Sequence, residues 1–405
     1  MKFNIWKNCP KIPITELLSF IVDNRGKTVP TSDEGWKLIA TNCVTNNTLF
    51  PVYEKVRYLT QETYETWFRA HPIPGDILFV NKGTPGRVCM VPDPVDFCIA
   101  QDMIALRADD EKIYNKYLFA VLRSREIQQQ IYNTNVGDVI PHFKKQFMKQ
   151  LLIPVPDRWI QEVIGDIYYE LSYKTELNKK INENLLQQAL AIYKAWFCDY
   201  VLSDGVLPES WHITTIDALS SLVTRGIAPK YDDSSNQIVL NQKCIRDHTI
   251  DVSLARRHLP KKINEKWISK GDLLINSTGT GTLGRVAQVW FDANNMTVDS
   301  HVTIVRPKAP ILQSYIGFWG LSHESEIEAQ HTGSTGQTEL PRDRVKAMEL
   351  PFPDEDTLSK FNELVIPMTD AVVSNQKENA QLSQLRDTLL PKLMSGEIDV
   401  SELEL

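Results

Sequence analysis

Gly75-Asp76-Ile77-Leu78-Phe79-Val80-Asn81-Lys82-Gly83-Thr84-Pro85-Gly86-Arg87-Val88 is an apolar run that enters on a Gly-Asp step and leaves through a glycine-rich turn. Residues 77–80 have the length and composition of a buried strand, and a second run follows at 87–91. The stretch therefore reads as two strands joined by a turn. The chain then says nearly the same thing again. Gly271-Asp272-Leu273-Leu274-Ile275 repeats residues 75–79 at an offset of 196, and Gly281-Thr282-Leu283-Gly284-Arg285-Val286 repeats residues 83–88 at an offset of 198. Ile153-Pro154-Val155-Pro156-Asp157 returns as Leu350-Pro351-Phe352-Pro353-Asp354 at an offset of 197. Solenoid units run about 20–50 residues, so this period marks two domain-sized modules in tandem. Arg25-Gly26 matches Arg225-Gly226, residues 39–44 resemble 240–245, and a helical patch at 114–132 matches one at 311–329. Between these landmarks the copies differ widely. Two recognition surfaces on one scaffold would show this, and so would drift after duplication.

The predicted fold is α+β, with four segments along the chain. Residues 1–157 form a first mixed, strand-rich module and 158–202 a long helix. Residues 203–353 form the second module, entered through a short linker at 203–208, and 354–405 a second helix and tail. In the second helix Leu358, Phe361, Val365, Met368, Val372, Asn375, Asn379, Leu382, Leu385 and Leu389 alternate by three and four, the spacing of a coiled-coil seam. The first carries a similar seam from Ile164 through Tyr168, Leu171, Asn178, Asn182, Leu185, Ala189 and Ile192 to Trp196. Subtracting 197 from Asn375 and Asn379 gives Asn178 and Asn182. Seam asparagines cost stability but fix register by pairing with each other. The expectation is an antiparallel coiled coil of about 60 Å at 1.5 Å per residue, with Pro367 kinking or interrupting the second helix. Two unrelated amphipathic helices on separate cores are the alternative.

The 405 residues suffice for two or three domains. No apolar run approaches the 18 or so residues of a membrane span, and residues 1–13 lack a signal-peptide core. Six scattered cysteines, with no CxxC, point to neither zinc nor a disulfide framework. A reduced, cytoplasmic protein is the expectation. The net charge of −7 is unevenly placed. Residues 354–405 hold 11 acidic and 4 basic residues, which leaves 40 of each sign in residues 1–353. Local basic faces, rather than whole-chain charge, govern nucleic-acid contact.

Several motifs fail on context. Gly279-Thr280-Gly281-Thr282-Leu283-Gly284 fits GxGxxG, but a strand-like run follows where a dinucleotide loop needs a helix. Gly26-Lys27-Thr28 lacks the first Walker A glycine, since Ile21 stands there. No amino-methyltransferase tetrapeptide, HExxH or nucleophile–base set is present, so no catalytic residue, cofactor site or metal site is assigned to this chain. Polar chemistry remains on the repeated turns. Asn81, Lys82, Thr84 and Arg87 match Thr278, Thr280 and Arg285, while His142, Lys144 and Lys145 fall near the place of Arg342 and Arg344. With Arg25, Lys27, Arg225 and Lys230, these are the candidate DNA contacts. Glycine permits close backbone approach, threonine donates to phosphate, and Lys or Arg reads phosphate or guanine edges. For each residue alone, a solvated loop or a salt bridge is an equally good reading.

In order and spacing these landmarks resemble the specificity subunit of type I restriction–modification systems. The carriers are the doubled GD-strand and GTxGR turn, the IPVPD and LPFPD phrases, Leu177-Asn178-Lys179-Lys180-Ile181-Asn182-Glu183-Asn184-Leu185 with Ala195-Trp196-Phe197, and Leu389-Leu390-Pro391-Lys392-Leu393-Met394-Ser395-Gly396-Glu397-Ile398. The resemblance covers essentially the whole chain. It implies that each module is a target-recognition domain reading one half of a bipartite site in double-stranded DNA. It implies that the helices pair as a spacer, set the unread gap and dock two methyltransferase subunits. S-adenosylmethionine, ATP and Mg would belong to the methyltransferase and restriction (motor) subunits, and the chain itself would be non-catalytic. The second module departs from the first in lacking a counterpart of Lys82, so its contacts would use other residues. A protein adaptor with duplicated modules, or a stand-alone methyltransferase or nuclease, are the competing readings. DNA shift assays with partner subunits, and S-adenosylmethionine binding by the isolated chain, separate them.

Overall fold

The computed structural model describes residues 9–24, 26–134, 140–259, 263–333, 338–398 and 400. They fall into two compact units, one made of Met1–Lys179 with Lys377–Leu405 and the other of Lys180–Gln376. The first unit is built on a four-stranded antiparallel sheet in the order Leu18–Val22, Met103–Ala108, Ile77–Val80, Val88–Met90. The second repeats it as Ser220–Arg225, Val302–Pro307, Leu273–Asn276, Val286–Gln288. Each unit adds a three-stranded sheet with one parallel pairing, Trp36–Ile39 beside Phe97–Ile99 and Gln237–Leu240 beside Met296–Val298. The fold is α+β, and the duplication extends to strand order and register.

Both faces of the central strand are buried, which is why the run is apolar without alternation. Ile77 and Phe79 pack into a core shared with the helices, while Leu78 and Val80 enter a second core with Val22 and Ile99. The helical patch breaks into Asn115–Arg123 and Arg125–Asn133 at Ser124, which caps the second piece. Its counterpart breaks into Gln313–Ser322 and Glu324–Ala329.

The Gly-Asp step has a structural cause. Gly75 and Gly271 turn the chain at φ +85° and +95°, the left-handed region that glycine enters without penalty. The following carboxylate is then presented to an arginine on the adjacent strand. Arg107 Nε and Nη2 each donate to Asp76 at 2.9 Å, and Arg306 donates to Asp272 at 2.8 and 2.7 Å. The same carboxylates accept the Ile73 and Ser269 N–H groups at 3.0 and 2.9 Å. Burial alone pushes the Asp272 carboxyl up while the pairing raises Arg306. The bidentate geometry decides for the ionised pair.

The IPVPD and LPFPD phrases close their modules. Leu152–Pro154 pairs with Lys11–Pro13, and Glu349–Phe352 with His212–Thr215. Asp354 then begins the second long helix by accepting the Thr357 N–H at 2.8 Å and the Trp211 indole N–H at 2.9 Å.

The long helices span Arg158–Tyr193 and Glu355–Ser395. In the first unit Asn178 Nδ2 donates to Asn379 Oδ1 at 2.9 Å, and Arg386 lies over the Tyr168 ring. In the second unit Asn375 Nδ2 donates to Asn182 Oδ1 at 2.8 Å, and Phe361 packs on Tyr193 and Trp196. Within each unit the partner number falls as the residue number rises, so the helix segments run antiparallel. All four seam asparagines meet in matched pairs. Two expectations need correction. Pro367 does not interrupt its helix, because it sits on an exposed face where water can serve the carbonyl it leaves unpaired. Beyond Asn379 the buried stripe leaves Leu385, which is exposed, and passes to Arg386, Leu390 and Leu393. That drift is expected where a 3.6-residue helix outruns a 3.5-residue repeat.

Candidate nucleic-acid interface

In the first unit the strand Ile77–Val80 delivers Asn81 and Lys82 to one end of the sheet. The Asn81 N–H donates to the Asp102 carbonyl at 2.9 Å, and its side chain to the Phe143 carbonyl at 3.2 Å. Phe143 N–H returns to the Asn81 carbonyl at 2.8 Å, Gly83 N–H reaches Pro141 at 3.0 Å, and Lys82 and His142 stand opposite as a bridge. The turn and the segment 141–145 thus form one surface. Gly86 turns at φ +86°, and a Cβ there would meet Ile131 at 3.1 Å, so the turn is pressed onto the helix Arg125–Asn133. Lys82, Arg87, Lys144 and Lys145 are exposed on this end; Thr84 and His142 are half-buried. Lys145 is paired with Asp23, which follows the outer strand Leu18–Val22. Asn81 is buried and serves as a brace for the loop. Lys27 is exposed, and Arg25 lies outside the described residues.

The second unit has the same frame with different side chains. Ser277 and Thr278 take the places of Asn81 and Lys82. Leu340 N–H donates to the Ser277 carbonyl at 2.8 Å, and Thr278 bridges Glu339. The Thr278 hydroxyl is engaged by His301 Nδ1 at 2.8 Å and Gln242 Nε2 at 2.7 Å, so it is committed within the fold. Arg225 pairs with Glu339 at 2.6 Å and donates to the Leu340 carbonyl at 2.9 Å. Arg344 donates to the Gln330 carbonyl at 3.3 Å, and Arg342 lies 3.8 Å from Asp343. Thr280 and Lys230 are exposed, and Arg285 is half-buried. Burial works against the neighbouring Glu324 carboxylate. Hydrogen bonds from His248 and the Val286 N–H, with Arg285 nearby, nevertheless hold its pKa below the usual value.

Strand register refines the match between the copies. Val22 opposes Ala105 and Thr224 opposes Ile304, so the residue at the place of Arg225 is Asp23. The ion pair at this point is inverted between modules, Asp23 with Lys145 in one and Arg225 with Glu339 in the other.

Residues 18–187 match the model of the type I restriction modification DNA specificity domain. The chain is 23% identical over 349 residues to the MjaIX type I restriction enzyme specificity subunit of Methanocaldococcus jannaschii, over 81% of this chain and 79% of that one. It is 22% identical to the HindI specificity subunit of Haemophilus influenzae, over 80% of this chain and 86% of its relative. The chain is thus similar to type I restriction–modification specificity subunits. The crystal structure of the type I S subunit from M. genitalium shares the fold, with a TM-score of 0.59 and 17% identity over 97% of this chain and 98% of that one.

The second module also carries exposed cations that sequence reasoning passed over. Arg256 lies 3.5 Å over the Tyr231 ring, and Arg257 donates to the Ser235 carbonyl at 2.9 Å. In the first module, Trp36, Tyr64 and His71 stack at 4.1 and 4.0 Å. Arg256 and Tyr231 lie 25 positions apart and Trp36 and Tyr64 lie 28 apart, beyond any local spacing signal. Among the described residues no group of three His, Cys, Asp or Glu side chains is placed to hold a metal, and no helix is long and apolar enough to cross a membrane.

Proposed function

We propose that this DNA specificity subunit reads a bipartite site in double-stranded DNA, one half per module, and takes no part in the chemistry. The carrying observation is that two sheets of identical strand order end in the same turn-plus-bridge surface with different side chains. Lys82, Arg87 and Lys144 stand on one, and Thr280, Arg285 and Arg342 on the other. Positioned lysines and arginines bind phosphates or the O6 and N7 of guanine, and changing the set changes the sequence read. Asn81 and Thr278 hold the surface together, so the contacting residues are their exposed neighbours.

The long helices act in this reading as a spacer between half-sites and as the seat of two methyltransferase subunits. Those partners would supply S-adenosylmethionine and methylate adenine, and restriction subunits would supply ATP- and Mg-dependent cleavage, in the interior of the cell. The isolated chain is expected to show no methyltransferase, nuclease or ATPase turnover. The deciding experiment exchanges residues 203–353 for the equivalent module of a relative and maps methylated adenines. One half of the motif should change and the other stay. A change in both halves would sink the reading of independent modules.

A further inference from the structure

The first unit contains an open cleft of about 900 Å³ whose wall is cationic. It lies between the start of the helix Arg125–Asn133 and the C-terminal part of Glu355–Ser395, and Arg123, Arg125 and Arg386 all line it. Arg123 is nine-tenths buried. Its Nη2 donates to the carbonyls of Thr45 at 3.2 Å, Val88 at 2.7 Å and Thr48. Its Nε and Nη1 have no hydrogen-bond partner among the described residues, and no carboxylate there forms an ion pair with it. Burial lowers the pKa of this guanidinium. The Tyr168 phenol beside it offsets part of that, without reaching hydrogen-bonding geometry with Nε or Nη1. The two carboxylates on the cleft wall are already used, Glu126 by Lys11 at 2.7 Å and Asp387 by Arg386 at 2.9 Å. The cleft also receives the N-terminal end of the helix Arg125–Asn133, capped by Ser124. Helix N-termini favour anions.

The duplication supplies a control. Tyr117 and Tyr315 are equivalent, since their hydroxyls donate to the carbonyls of Pro154 and Pro351. That offset of 198 places Leu321 where Arg123 stands, and the helix offset of 197 places Val365 and Ala189 where Tyr168 and Arg386 stand. All three belong to the apolar core of the second unit. The scaffold therefore packs well with hydrocarbon at these positions, and a buried, unpaired guanidinium is not required for folding. A buried charge without a counter-charge is costly, and a bound anion would relieve that cost.

We propose that the cleft is an oxyanion-binding site of the first module, taking a phosphate or carboxylate group between Arg125, Arg386 and the helix N-terminus, above the Arg123 guanidinium. The site breaks the pseudo-symmetry of the subunit, because the second module has no equivalent. It is testable without DNA. The full chain is titrated with inorganic phosphate and, separately, citrate, at ionic strength matched with sodium chloride, and the thermal unfolding midpoint is followed. Saturable protection is expected. It should weaken about tenfold in Arg386→Gln and in Arg125→Gln, each of which removes one charge-assisted hydrogen bond to the anion, and vanish in Arg123→Leu, which installs the residue the second module already uses. Should Arg123→Leu fail to fold, the other two variants carry the test. Protection by phosphate alone assigns a phosphoryl ligand, and protection by citrate alone a carboxylate. Protection by both assigns an oxyanion of either kind. No protection beyond chloride, or equal protection in Arg386→Gln and Arg125→Gln, overturns the proposal.

Discussion

Asp272→Asn removes the charge from one side of the buried pair that anchors the second module's central sheet. Asp272 is 1% exposed and Arg306 keeps 24% of its side chain in solvent. Breaking a buried ion pair by neutralising one partner costs about 3–5 kcal/mol. Arg306 retains the carbonyls of Glu265, at 3.0 Å, and Trp267, and it reaches water, so the lower end applies. A loss of about 3 kcal/mol corresponds to roughly a hundredfold change in opening equilibrium. Hydrogen exchange read by mass spectrometry resolves the two units. Peptides over Leu273–Asn276 and Val302–Pro307 should exchange about a hundred times faster, while those over Ile77–Val80 and Met103–Ala108 stay unchanged. Asp76→Asn should give the mirror result. Replacing both partners, Asp272→Leu with Arg306→Met, should recover most of the loss, because an apolar pair leaves no stranded charge. A loss under about 1 kcal/mol in Asp272→Asn, or acceleration spread equally over both modules, would refute the anchoring role.

Removing Lys82 and Arg87 together should weaken binding of the assembled complex to its duplex and flatten the dependence of log affinity on log salt by about two, one for each phosphate no longer neutralised; an unchanged slope in filter-binding titrations would exclude phosphate contact. Thr278→Ala should leave DNA affinity within about twofold and cost about 1 kcal/mol in urea unfolding, since the hydroxyl is spent on His301 and Gln242. Asn375→Ala should destabilise by about 1–3 kcal/mol, and the pair Asn182→Leu with Asn375→Leu should restore most of it, again by urea unfolding. Seven residues added to each long helix, after Lys179 and after Gln376, preserve the seam and add about 10 Å. Methylation of duplexes differing only in gap length should then peak at a gap about three base pairs longer, at 3.4 Å per base pair; an unmoved optimum means that the helices do not set the spacing.

The duplication was legible because both copies needed the same backbone solutions. Glycine before Asp76 and Asp272, glycine where the turn meets a helix, and proline-flanked closing strands leave marks in the residue types themselves. The purpose of the aspartates was not legible, since Arg107 and Arg306 lie 31 and 34 positions away. The asparagine pairs were legible because a polar residue on an apolar stripe stands out. The last turns of the seam were misread because the same logic counts Leu385 as buried and Arg386 as surface. Here an arginine over a tyrosine fills the contact and the leucine faces solvent. At the candidate interface, residue type picked out segments that the fold brings together, but not their roles. Asn81 and Thr278 carry suitable groups, and only their contacts with Phe143 and with His301 and Gln242 show that the fold has already taken them.

The second unit is one uninterrupted stretch, Lys180–Gln376, whereas the first is completed by residues from the far end of the chain. Leu390, Leu393 and Val400 belong to the same core as Ile14 and Phe79. Synthesis therefore makes the first module early but withholds part of its interior until residues 377–400 emerge. The module made second has all its parts sooner. A chain halted near residue 376 would hold a complete copy of the later-made module and an unfinished copy of the earlier one.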